Sequence, residues 1–152
     1  MSFKWLARLT QQDSRNEDLG NSGELNRALA VLMLEIAQSD FSETEEETRA
    51  VLAGLLIHTE QGAQSAEDLL TVARSDKANS AGLYEFTRRA CTEMRIEERC
   101  DFVAQLWRIA YADGVIDKYE EAAIRKMSEL LYVPHQEFIK AKLAAKADQA
   151  TS

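Results

Sequence analysis

The chain has 152 residues and a mass of 17.1 kDa, enough for one domain that buries roughly 68–70% of its unfolded surface. Its net charge of −8 opposes general binding to phosphate backbones or anionic lipid, and leaves cations and basic partners open. With one proline and six glycines beside a 45% apolar fraction, the composition suits a packed core and offers little material for many tight strand turns.

Helical periodicity runs almost from end to end. Phe3, Leu6 and Leu9 mark a short amphipathic opening helix, and DSRNEDLGNSG reads as a polar linker at 13–23. Leu25, Leu29, Leu32 and Ile36 then form one buried stripe. Further stripes are Leu52, Leu55 and Leu56, then Ala66, Leu69, Leu70 and Ala73, then Leu83, Phe86, Ala90 and Met94. The last third gives Phe102, Leu106 and Ile109, then Ile124, Met127 and Leu130, then Phe138, Ile139 and Leu143.

Start signals sit where stripes begin. Thr44 with Glu47, and Asp117 with Glu120, have the N-cap-to-N3 spacing of a capping box; Ser65 with Asp68 is a weaker instance. Pro134 suits the first turn of a last helix, where its missing N–H costs nothing. No segment alternates with period two. The expected fold is all-α, a single compact bundle of seven or eight helices. The expected organisation is a short helix and linker at 1–23, an all-helical domain at 24–146 and a polar tail at 147–152.

One unit occurs twice. EIAQSDFSETEEETRAV (35–51) aligns without a gap on RIAYADGVIDKYEEAAI (108–124). Ile36, Ala37, Asp40, Glu47 and Ala50 match Ile109, Ala110, Asp113, Glu120 and Ala123, and Val51 faces Ile124. Each copy reads as a helix ending at Asp, a short turn, a capping residue and a helix with Glu in its first turn, so two helical hairpins are related by duplication or by convergent capping.

A calcium loop does not account for the second copy. With Gly114 at the invariant glycine, the first two ligand positions fall on Ile109 and Tyr111, inside the helical stripe and without carboxylates. Asp40 and Asp113 lie where a helix ends, beside unpaired carbonyls, and an anion there needs compensation. Bonds to turn amides are one compensator. A divalent cation is the other, held by Asp40, Glu47, Asp113 and Glu120 if the two hairpins pack about a pseudo-two-fold axis. Both accounts stay open on the sequence.

The pattern ADG, apolar residue, capping residue, two residues, Glu at 112–120, with its degenerate copy SDFSETEE at 39–46 and Glu47, resembles the TerB family of tellurite-resistance proteins, whose fold class includes the N-terminal region of the membrane co-chaperone DjlA. The resemblance covers residues 24–143. It implies a compact helical domain with two related hairpins, acting in bacterial stress or metal-oxyanion response, and divalent-metal binding by Asp40, Glu47, Asp113 and Glu120. Two departures alter the first copy: Glu43 replaces an apolar residue, and Phe41 stands where the second copy has Gly114. The chain has no His-Pro-Asp tripeptide, so the co-chaperone's stimulation of an Hsp70 is not expected of it.

No catalytic signature is present. His58 and His135 are the only histidines and read as surface or helix-end residues; HExxH, GxSxG, a P-loop and GxGxxG are absent. Cys91 and Cys100 lack CxxC spacing and read as reduced thiols near helix faces. The run 43–49 reads as a solvated helix start, and Arg88, Arg89, Arg95 and Arg99, interleaved with acids, as an ion-paired surface. Trp107 and Tyr111 are expected in or beside the core. No apolar run approaches the ~18–20 residues of a bilayer span, and MSFKWLARLTQQ lacks a secretory h-region. A soluble, cytoplasmic, non-enzymatic module follows, with a protein partner and no nucleic acid. Phe3 and Trp5 are expected to fold back onto the domain rather than dock on a membrane, and the oligomeric state stays open.

Overall fold

The computed structural model describes residues 19–39, 43–56, 63–80, 82–112, 114 and 116–150. Among them are seven helices and no strand: α1 (Leu19–Ala37), α2 (Glu45–Leu56), α3 (Ala63–Asn79), α4 (Tyr84–Glu93), α5 (Ile96–Ala110), α6 (Lys118–Leu130) and α7 (His135–Ala150). The all-α architecture expected from periodicity is therefore the one observed. The opening stripe of Phe3, Leu6 and Leu9, together with Trp5 and His58, lies outside the described residues.

The helices are organised around α1. Leu25, Ala28, Leu29, Ala30, Val31, Leu32, Met33, Leu34, Ile36 and Ala37 are all buried, far more than the single stripe of a surface helix. The reason is position: α2, α3, α4, α5 and α6 all pack against it. The second interior helix is α5, with Phe102, Val103, Ala104, Leu106, Trp107, Ile109 and Ala110 buried. Its outer side is covered by α7, where Phe138 meets Trp107 with ring centroids 5.3 Å apart. Tyr111 tilts against the same indole at 6.2 Å.

The internal repeat is visible in these elements. The two interior helices end at Ala37 and Ala110, and the helices that follow start at Glu45 and Lys118. Both pairs stand at the offset that places Glu47 on Glu120, so α1–α2 and α5–α6 are the two equivalent hairpins. Gly114 carries a φ of 88° in the second hairpin's turn, a left-handed conformation that favours glycine.

Several boundaries differ from the sequence reading. α1 begins at Leu19, inside the stretch read as linker. Gly20 and Gly23 are poor helix formers, but packing of the apolar face from Leu25 onward propagates the helix back through them. α7 runs to Ala150, because the presumed tail is rich in alanine, the best helix former. Ser65 is not an N-cap, since α3 already starts at Ala63. Leu143 is 59% exposed, and α7 instead buries Phe138, Ala141 and Ala145. Small residues at the latter two positions let α7 lie close to α5, a contact that a search for large apolar residues overlooks.

Candidate functional site

Two acidic side chains are buried in the first turns of equivalent helices: Glu47 of α2 is 1% exposed and Glu120 of α6 is 2% exposed. Both are held by capping boxes. The Glu47 N–H donates to Thr44 Oγ1 at 3.1 Å, while the Thr44 N–H and hydroxyl donate back to Glu47 Oε1 at 3.1 and 3.0 Å. In the second hairpin the Glu120 N–H donates to Asp117 Oδ1 at 2.8 Å, and the Asp117 N–H reaches Glu120 Oε1 at 3.4 Å. Each carboxyl group therefore spends one oxygen on its cap.

The second oxygens have no such use. Among the described residues Glu47 Oε2 and Glu120 Oε2 are buried and find no hydrogen-bond donor, and the two carboxyl groups come within hydrogen-bonding reach of each other. Burial pushes the Glu120 carboxyl well above the usual range, and the adjoining Glu47 pushes it in the same direction. The N–H donated from the Asp117 cap opposes this only in part. Two carboxylates in contact and out of water cannot both stay charged without compensation. The arrangement thus favours a proton on Glu120 donated to Glu47, or a cation between the two oxygens. Hard oxygen donors at the positive ends of two helix dipoles, with no imidazole or thiolate among them, have the chemistry of a Mg²⁺, Ca²⁺ or Mn²⁺ ligand pair.

Of the four expected ligands the structure brings Glu47 and Glu120 together. Asp40 and Asp113 lie outside the described residues. Among the described residues no group of three or more His, Cys, Asp or Glu could hold a metal ion.

Glu43 carries a role that the sequence reading missed. The run 43–49 is not uniformly solvated: Glu45 and Glu46 are exposed, but the Glu43 side chain is only 13% exposed. Its carboxylate receives the Arg74 guanidinium as a fork, Nη1 to Oε1 at 3.0 Å and Nη2 to Oε2 at 2.8 Å. Gln38 Nε2 donates to Oε1 at 3.1 Å, and the Thr48 hydroxyl donates to Oε2. The Arg74 fork, aided by the Thr48 and Gln38 donors, holds this carboxyl down at about 2 against the opposing effect of burial. The signal lay in the departure itself, an acid where the matching position holds Ile116.

Of the arginines expected in an ion-paired surface, Arg95 meets Glu98 at 3.5 Å, whereas Arg99 turns to the Leu131 carbonyl oxygen at 2.6 Å. Arg89 bridges Glu93 at 2.8 Å and Glu24 at 2.7 Å, and Arg27 forks onto Asp76 at 2.9 and 2.7 Å. The Arg89–Glu24 and Arg27–Asp76 pairs line the groove among α1, α3 and α4. His135 is exposed and stacks on Phe138, and Cys91 and Cys100 are free thiols, each half-buried. No helix among the described residues is long and apolar enough to cross a membrane.

A family model described as tellurite resistance protein TerB matches residues 26–143, a span that contains both hairpins and the Glu47–Glu120 pair. No curated protein and no solved structure matches the chain.

Proposed function

The chain belongs to the TerB family, and we propose that it is a non-enzymatic helical module of a bacterial stress or tellurite-resistance-type response whose buried Glu47–Glu120 pair takes up a divalent cation. Asp40 and Asp113, one from each hairpin, are the further candidate ligands. The carrying observation is the pair of orphaned oxygens, Glu47 Oε2 and Glu120 Oε2. Capping explains why a glutamate stands at each position, but it uses one oxygen of each and does not require the two carboxyl groups to meet. A cation at that point satisfies both and relieves the repulsion that burial makes costly.

A second reading has its own support. Both capping boxes are formed, and a proton shared between the carboxyl groups also satisfies the pair. On that reading the acids serve only as helix caps and the domain is a protein-interaction scaffold in the cytoplasm, where its net charge of −8 favours a basic partner. Titration of Mg²⁺, Ca²⁺, Mn²⁺ and Zn²⁺ followed by NMR separates the two. Cation uptake shifts the Glu47 and Glu120 signals together with Asp40 and Asp113. Unchanged signals at all four residues leave the scaffold.

A further inference from the structure

A continuous chain of contacts runs from the surface of α3 to the buried carboxyl pair. Arg74 grips Glu43 through both guanidinium nitrogens. Glu43 accepts from the Thr48 hydroxyl, which lies 3.2 Å from the Thr44 carbonyl oxygen. Thr44 donates from its N–H and its hydroxyl to the same Glu47 oxygen. Among the described residues the second hairpin has no equivalent ion pair, because the position matching Glu43 is Ile116, a partly buried side chain packed on the core. One half of the pair is thus anchored by apolar contact and the other by an ion pair to a different helix.

We propose that Arg74 is a positioning residue for the buried carboxyl site, acting through Glu43 to hold the Thr44 cap and so the orientation of Glu47. The inference rests on Glu47–Glu120 being the functional site, and it assigns to α3 a control over that site which the pseudo-symmetry of the hairpins does not suggest. A forked guanidinium–carboxylate contact fixes direction as well as distance. Loss of the fork frees Glu43 and loosens the turn in which Thr44 caps α2. Glu47 Oε1 then loses the donors that hold its carboxyl group beside Glu120. The Glu120 half is untouched.

The test uses the full chain with Arg74→Gln, Arg74→Lys and Arg27→Gln, the last breaking another ion pair between α3 and α1. Two quantities are read: amide hydrogen exchange at Glu47 and Glu120 in metal-free protein, and Mn²⁺ affinity. Arg74→Gln is expected to speed exchange at the Glu47 N–H but not at the Glu120 N–H, and to weaken Mn²⁺ binding by about three- to thirtyfold, the usual range for coupling through a packed network. Arg74→Lys keeps the charge without the fork and restores part of both, and Arg27→Gln changes neither. In a Glu43→Ile background, which copies the second hairpin, Arg74→Gln is silent. Wild-type exchange at Glu47 in Arg74→Gln overturns the proposal, as does an equal effect of Arg27→Gln or an Arg74 effect that persists beside Ile at position 43. If wild-type protein takes up no Mn²⁺ while Arg74→Gln still releases the Glu47 amide, cation binding falls and the positioning role of Arg74 stands.

Discussion

Glu47 and Glu120 meet from the first turns of α2 and α6, each tied to its own cap through one oxygen and left with the other buried and without a partner among the described residues. The pair joins the two copies of the repeat, so it can form only when both hairpins are packed. Whatever neutralises it therefore acts on the whole domain.

In metal-free protein that neutraliser is a proton, and stability follows it. The Glu120 carboxyl is raised from 4.5 to about 9, first by burial and then by Glu47. A group with its folded value raised contributes stability that is complete below pH 4.5 and is lost as pH climbs through about 9. Urea unfolding from pH 5 to 9 should show a falling midpoint. Glu120→Gln, always neutral, should flatten that fall and remove any stabilisation by added divalent cation.

The surface ion pair has the opposite sign. Glu43 is lowered from 4.5 to about 2, chiefly by Arg74, so its contribution is complete above pH 4.5 and is lost as pH falls toward 2. The Arg74 side chain is 41% exposed, and solvent screening limits the contribution to about 1 kcal/mol. Acid unfolding midpoints of wild type and Arg74→Gln should converge at the acid end of this range.

The caps are separable from the pair. Thr44→Ala removes the acceptor of the Glu47 N–H and a donor to Glu47 Oε1. It should cost roughly 0.5–2 kcal/mol, the range of N-cap losses. Asp117→Ala loses the same kind of bond at α6, but it also removes a negative charge that raises the Glu120 carboxyl. Its cost, followed by urea unfolding, should therefore shrink as pH rises from 5 to 9.

These contacts also indicate what is legible in one sequence. Helix periodicity and capping spacing are local, so Thr44–Glu47 and Asp117–Glu120 could be read directly, and register alone paired Glu47 with Glu120. The Arg74–Glu43 fork joins residues distant in the chain: the repeat marks Glu43 as the position where the second copy has Ile116, but nothing in the sequence names Arg74 as its partner. The start of α5 escaped for a related reason. Glu98 accepts the Arg95 N–H at 2.8 Å, but arginine has no side-chain acceptor to complete a capping box, so the spacing carried no signal. The burial of α1 on nearly every side from Ala28 to Ala37 depends on how many helices surround it, and no single helix's stripe encodes that number.

The approach of α2 to α5 at Gly54 yields the last prediction. A Cβ at Gly54 of α2 would lie 1.8 Å from Gln105 Nε2 of α5, so a larger residue there forces the Gln105 side chain to move. Gly54→Ala should cost about 1–3 kcal/mol by overpacking. Both amide atoms of Gln105 are buried without a hydrogen-bond partner, and such groups cost about 1–3 kcal/mol each relative to solvated ones. Gln105→Met, of similar length and with no amide to satisfy, should therefore stabilise the chain. In the double variant Gly54→Ala with Gln105→Ala, the shortened side chain leaves room for the added methyl, so the cost of Gly54→Ala should largely vanish. A urea double-mutant cycle checks the pair, and an undiminished Gly54→Ala penalty beside Ala at 105 would place the obstruction in the backbone of α5 instead.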